Sequence, residues 1–191
     1  MGGPKALVRG SDGRVWVASS TRRLLAAGCT PVRVVLGADA SAAAEALAAG
    51  VGESVDVVVA ADWSDGMAAS LRAGLAGLER LAPDAAAVLV HLVDLPDVGA
   101  DVLGRVLADA GSGRADVLAR ATYGGLPGHP VLLGRGHWAA VAQSVRGDSG
   151  AREYLADRAA ALVECGDLAT GADVDQARPL GPSVRHFKPD G

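Results

Sequence analysis

Aromatic side chains are scarce, three Trp, two Tyr and one Phe in 191 residues, so a core must be assembled from Val, Leu and Ala in small aliphatic layers. That favours helices laid on a sheet. Cysteine is scarcer: Cys29 and Cys165 lie far apart, with no CxxC or Cys/His spacing, which argues against a zinc site and leaves two core or surface thiols. No apolar run approaches the roughly 18 residues of a membrane-spanning helix, and the opening MGGPKALVRG has no apolar stretch of the signal-peptide kind. A cytoplasmic protein with no membrane partner is expected. There is no excess of positive charge either. With a net charge of −4 and Lys and Arg scattered among Asp and Glu, no basic stripe exists to collect a nucleic-acid polymer.

What remains is half apolar, enough for one sizeable core, so residues 1–191 are read as a single domain. Short β-branched runs recur at 31–37, 54–60, 85–94, 115–123, 129–134 and 160–165, each with the pattern of a strand. Stretches of helical spacing fall between them, at 13–27, 40–49, 66–81, 99–110, 135–145 and 149–157. Alternation of this kind, with near-continuous apolar runs such as VLVHLV, predicts an α/β fold: a doubly wound, largely parallel sheet covered by helices on both faces. Such sheets hold ligands at the carboxyl ends of their strands.

The segment HLVDLPDV, 91–98, ends the most apolar run on a carboxylate, and Pro96 stops the strand at once. Asp94 there suits a hard divalent ion such as Mg²⁺ shared with substrate phosphates, or it accepts loop N–H groups; both readings stand. In GADVDQA, Asp173 and Asp175 alternate across Val174 and point to one face of an extended chain. They could meet Asp94 at a metal, or form an exposed acidic turn. The opening Gly2-Gly3-Pro4-Lys5 has the glycines, fixed proline and lone cation of the end of a phosphate-holding loop, or of a flexible terminus.

Taken together these segments resemble the molybdenum-cofactor nucleotidyltransferases, the MobA-like group. That family begins LAAGxGxRMGxPKxLL, and Met1 to Leu7 match its second half; proline before the lysine is similar to the cytidylyl branch. VVLG (34–37), WSDGMAASLRAGL (63–75), VDLPDV (93–98), GGLPGHPVLLGRGHW (124–138), GDSGAR (147–152) and DVD (173–175) follow in the family's order. The resemblance implies a nucleotide-diphospho-sugar transferase-like Rossmann variant that transfers CMP from CTP, or a guanylyl group from GTP, to a molybdopterin acceptor. It also implies Mg²⁺ on Asp94 and Asp175, and Lys5 and Asp94 as the catalytic pair. Gly2, Gly3, Pro4, Lys5, Gly37, Gly66 and Ser70 would bind the nucleotide, and His129, Asp148 and Arg152 the acceptor. A molybdoenzyme or maturation factor is the protein partner implied.

Three positions depart from the family. The LAAGxGxR half of the loop and its preceding strand are not in these residues, Ala60 stands where an Asn is usual, and DVDQARPL replaces DVDTPEDL. The expectation drawn is a central strand between 32–37 and 86–94, supplied by about 15 to 20 further N-terminal residues. The alternatives are a catalytically inactive relative that binds nucleotide or a partner protein, and a transferase for another phosphorylated acceptor.

Overall fold

A computed structural model describes residues 3–51 and 55–174. Among them, helices and strands alternate in the expected order. Strands β1 (Arg33–Leu36), β2 (Asp56–Val59), β3 (Ala87–Val90), β4 (Leu118–Tyr123), β5 (Leu126–Gly134) and β6 (Ala161–Glu164) are interleaved with helices α1 (Trp16–Ala26), α2 (Ala40–Val51), α3 (Met67–Leu75), α4 (Leu78–Leu81), α5 (Ala100–Asp109), α6 (Trp138–Ser144) and α7 (Arg152–Asp157). Helical turns of the 3-10 type cover Lys5–Leu7, Trp63–Asp65 and Arg135–His137. The single helical stretch read over 66–81 is two helices, because Gly77 takes a left-handed backbone (φ 67°) and breaks the run.

The layering is α/β, with a mixed sheet. β1 and β2 pair in parallel, while the second sheet has the order β3-β5-β4-β6, with β5 antiparallel to β3 and β4 and β6 parallel to β4. The antiparallel member comes from one turn. Gly124 and Gly125 both have positive φ, 57° and 79°, the geometry a two-residue hairpin loop demands. Glu164 locks that turn, accepting the Thr122 hydroxyl and the Gly124, Gly125 and Gly166 N–H groups. Those four donors hold its carboxyl down at about 2, with the Thr122 bond the largest contribution.

Alternation along the strands sorts the core. Val117, Ala119, Ala121 and Val163 pack with Val102, Leu103 and Val106 of α5. The opposite face puts Val131 and Leu133 against Ala68, Trp138 and Val141 of α3 and α6. A third cluster joins Val17, Ala18 and Leu36 to Ala43 and Leu47 of α2.

β1 and β3 do not pair with each other, and a chamber of about 1290 Å³ runs along both. Asp56 N–H reaches Val32 O and Ala60 N–H reaches Leu36 O, so 32, 34 and 36 bond towards β2 while Arg33 and Val35 turn their backbone groups the other way. Arg135 N–H reaches Ala86 O, so by the same alternation Ala87 and Leu89 face away from β5. This is the place where the sequence led us to expect a further strand. All four apolar residues of β3 are only half-buried.

Candidate active site

The chamber continues past the strand ends and is lined there by Lys5, Asp94, His129, Asp148, Arg152 and Asp173. Pro4 fixes the entry to the first 3-10 turn (φ −61°), and Leu7 N–H bonds Pro4 O at 3.0 Å. That turn puts Lys5 Nζ 2.7 Å from Asp94 Oδ2. The Asp94 side chain is 13% exposed, and Lys5 compensates its burial.

The loop that carries Asp94 is held from two sides. Arg23 of α1 donates to Leu95 O at 3.2 Å and Pro96 O at 2.6 Å, and the Ser20 hydroxyl reaches Val93 O at 3.4 Å. Asp97 accepts the N–H and hydroxyl of Thr170, and four residues later Val174 N–H donates to Asp94 O at 3.1 Å. The Asp173-Val174 stretch is therefore docked on the strand end that bears Asp94. Asp175, expected to share a metal with Asp94, lies outside the described residues, as does Gly2. Among the described residues no group of three His, Cys, Asp or Glu side chains is placed to hold a metal ion. Asp94 keeps one carboxylate oxygen clear of Lys5 and Asp173 lines the same chamber, a hard-oxygen set that fits a divalent ion completed by substrate phosphates.

Gly37 and Gly66 do not line the chamber. A Cβ on Gly37 would lie 2.8 Å from Trp63 Cβ, so the absence of a side chain lets Trp63 cover the end of β1. Gly66 has φ 103° and ψ −176°, and a Cβ there would lie 2.5 Å from Asp148 Oδ1 and 2.8 Å from Gly147 C. The close approach at Gly66 is thus made by this chain's own 147–148 loop. That loop caps α3: Asp148 Oδ1 accepts Met67 N–H at 3.3 Å and Gly147 O accepts Ala68 N–H at 2.8 Å. Ser70, one turn into α3, lines the chamber, and Gly3 is exposed.

His129 and Arg152, from β5 and the start of α7, meet at the same end of the chamber. Burial, aided by the charges of Arg120 and Arg152, lowers His129 to about 4. His91, immediately after β3, falls to about 4 for the same first reason, with His129 next. Both imidazoles are neutral at pH 7, and among the described residues neither ring nitrogen of His91 has a partner. Our reading of the sequence did not single out His91 or Arg120 as site residues. The signal was there in each case: a histidine inside an apolar run, and a charge alternating with alanines in LARATY.

An α/β domain with a lysine–aspartate pair and a second cationic pole at its strand ends belongs to the nucleotide-handling class of such folds. Residues 1–163 match the model of the MobA-like NTP transferase domain, and the chain belongs to that nucleotidyltransferase family. It is 37% identical to nicotine blue oxidoreductase of Paenarthrobacter nicotinovorans over 192 residues, covering 93% of this chain and 86% of that protein. Rv0371c of Mycobacterium tuberculosis H37Rv, solved as a manganese complex, superposes with a TM-score of 0.67 at 26% identity, over 85% of this chain and 80% of that one. A nucleotidyl transferase of Methanothermobacter shares the fold, with a TM-score of 0.67 at 22% identity over 84% and 74% of the two chains. No helix among the described residues is long and apolar enough to cross a membrane.

Proposed function

We propose that this domain transfers a nucleotidyl group, CMP from CTP, to a phosphate of a molybdopterin-type acceptor. The observation that carries the reading is the 2.7 Å Lys5–Asp94 pair facing the His129 and Arg152 end of one chamber. An acceptor phosphate oxygen attacks the α-phosphorus in line, the bond to the β-phosphate oxygen breaks, and pyrophosphate leaves. Reactions of this class need positioning and charge neutralisation more than a protein nucleophile.

Lys5 supplies a compact positive charge to the triphosphate. Asp94, with Asp173 and Asp175, would hold the divalent ion, Mg²⁺ in this reading and manganese in the Rv0371c complex. When bound, that ion neutralises charge on the triphosphate. Neutral His129 offers a hydrogen bond on the acceptor side, and Asp148 keeps the loop that leads to Arg152 seated on α3.

The test is pyrophosphate release with CTP or GTP, Mg²⁺ or Mn²⁺, and molybdopterin. Release that depends on CTP, the ion and the acceptor together supports the reading, whereas release with none of the acceptors tried, molybdopterin included, removes it. A second reading is favoured by the 37% identity to nicotine blue oxidoreductase, an oxidoreductase acting on that kind of substrate. A change in nicotine blue absorbance driven by a reduced nicotinamide nucleotide, without pyrophosphate release, would establish it instead.

A further inference from the structure

Arg120 is a charge in the wrong place for a structural residue. Its neighbours Ala119 and Ala121 point into the core against α5, so Arg120 projects from the other face of β4, the one shared with Leu118, Val131 and Leu133. It is half-buried, and its guanidinium donates to Gly128 O at 3.3 and 3.1 Å. Among the described residues no carboxylate pairs with it. Burial lowers the basicity of Arg120, and the charge of another cation, Arg152, lowers it further.

The strand pairing is arranged around this side chain. Arg120 stands opposite Val131 and Thr122 opposite Pro127, so Gly128, His129 and Pro130 bulge out across from Ala121. Bulges re-aim side chains next to functional sites. This one is pinned by Arg120 on Gly128 O and by the Tyr123 hydroxyl on His129 O at 2.6 Å. Arg120, His129 and Arg152 all line the chamber, together with the unpartnered His91. Two guanidiniums and two neutral imidazoles converge there; of the acids that line the chamber with them, Asp94 is held by Lys5 and Asp148 accepts Met67 N–H, and among the described residues no carboxylate forms an ion pair with either arginine.

We propose that Arg120 and Arg152, flanked by His91 and His129, form an anion subsite for the dianionic phosphate monoester of the acceptor. It rests on the transferase reading for the identity of that phosphate. The countercharge that no described residue supplies comes from the ligand, and a planar guanidinium grips a phosphate through two oxygens. Arg120 then sets specificity: an acceptor without the phosphate leaves the half-buried Arg120 guanidinium beside Arg152 with no anion between them.

The test titrates phenyl phosphate, and separately CTP, into the protein and its Arg120→Met and Arg152→Met variants by calorimetry. Each variant is expected to lose about tenfold or more in phenyl phosphate affinity and to keep CTP affinity within about twofold. Arg120→Lys, which keeps the charge but loses the fork, should fall in between. Absence of phenyl phosphate binding in the parent protein, or unchanged affinity in both Met variants, overturns the subsite. Should Arg120→Met fail to fold, Arg152→Met decides alone, because Arg152 is exposed at the start of α7. Arginine-dependent phenyl phosphate binding without pyrophosphate release from CTP would keep the subsite and remove the transferase reading. Pyrophosphate release with unchanged phenyl phosphate affinity in the variants would do the reverse.

Discussion

Gly66→Ala should cost this domain a large share of its stability through a single added methyl group. The backbone at Gly66 (φ 103°, ψ −176°) lies in a region that only glycine occupies freely, and forcing a side chain there costs about 1–3 kcal/mol. The added Cβ would also stand 2.5 Å from Asp148 Oδ1 and 2.9 Å from Gly147 O, the two atoms that accept Met67 N–H and Ala68 N–H. Displacing the loop removes both bonds, at about 1 kcal/mol each. The sum is about 3–5 kcal/mol, a large share of a typical domain stability of about 5–15 kcal/mol. At about 2–4 °C per kcal/mol for a chain of this size, the melting temperature falls by about 6–20 °C. Thermal unfolding followed by circular dichroism reads it, with Gly104→Ala as control. Gly104 sits inside α5 with nothing within 4 Å of its would-be Cβ, so alanine there should stabilise by about 0.5–1 kcal/mol. If Gly66→Ala melts within about 2 °C of the parent protein, the 147–148 loop does not seat on α3 as described.

Asp94→Ala should reduce nucleotidyl transfer by about two to three orders of magnitude or more while the far-ultraviolet spectrum stays native, because charge neutralisation is the largest catalytic contribution; parent-like turnover would clear Asp94 of a role. Glu164 has a carboxyl held near 2 against an ordinary 4.5, so its folded form is favoured above that ordinary value and the advantage is lost as pH falls from about 4.5 to about 2. Glu164→Gln should therefore flatten the fall in unfolding midpoint between those pH values, and parallel curves for the two proteins would contradict the hairpin lock. In the 191-residue chain, hydrogen exchange resolved to single amides should alternate along the chamber walls, with Val35 and Leu89 fast and Val34 and Val88 slow. Uniform protection of both strands would mean that an extended segment has entered between them.

The order and type of the elements could be read from the sequence because apolar periodicity is a local property. The runs at 31–37 and 85–94 shrink to Arg33–Leu36 and Ala87–Val90, but they fall where they were read. The sheet's mixed character was harder to read. It depends on two glycines at 124 and 125 adopting positive φ, and the same GG dipeptide was read only as part of a motif. Local sequence could not separate the two roles of Gly66 either. A glycine needed for a ligand's approach and one needed for a loop 81 residues away look alike until the chain is folded.

The site divides along the same line. Lys5 and Asp94 are 89 residues apart, and each was noticed for a reason that concerned only itself: a cation after two glycines, an anion ending an apolar strand. Burial turns those separate oddities into one pair, since a carboxylate at 13% exposure requires a cation, and among the described residues Lys5 supplies it. Arg120 follows the opposite logic. Its oddity is also local, a guanidinium between alanines, but folding among the described residues brings it another cation and no acid. The chamber thus holds one carboxylate neutralised by a lysine and two arginines with which no carboxylate among the described residues pairs. In the proposed reaction the acceptor is oriented through its own reacting phosphate, held against Arg120 and Arg152 while Lys5 and Asp94 attend the triphosphate. In the proposed subsite, orientation of the acceptor resides in residues of β4 and α7, which makes Arg120 and Arg152 the positions at which a change of acceptor class would be engineered without touching the pair at Lys5 and Asp94.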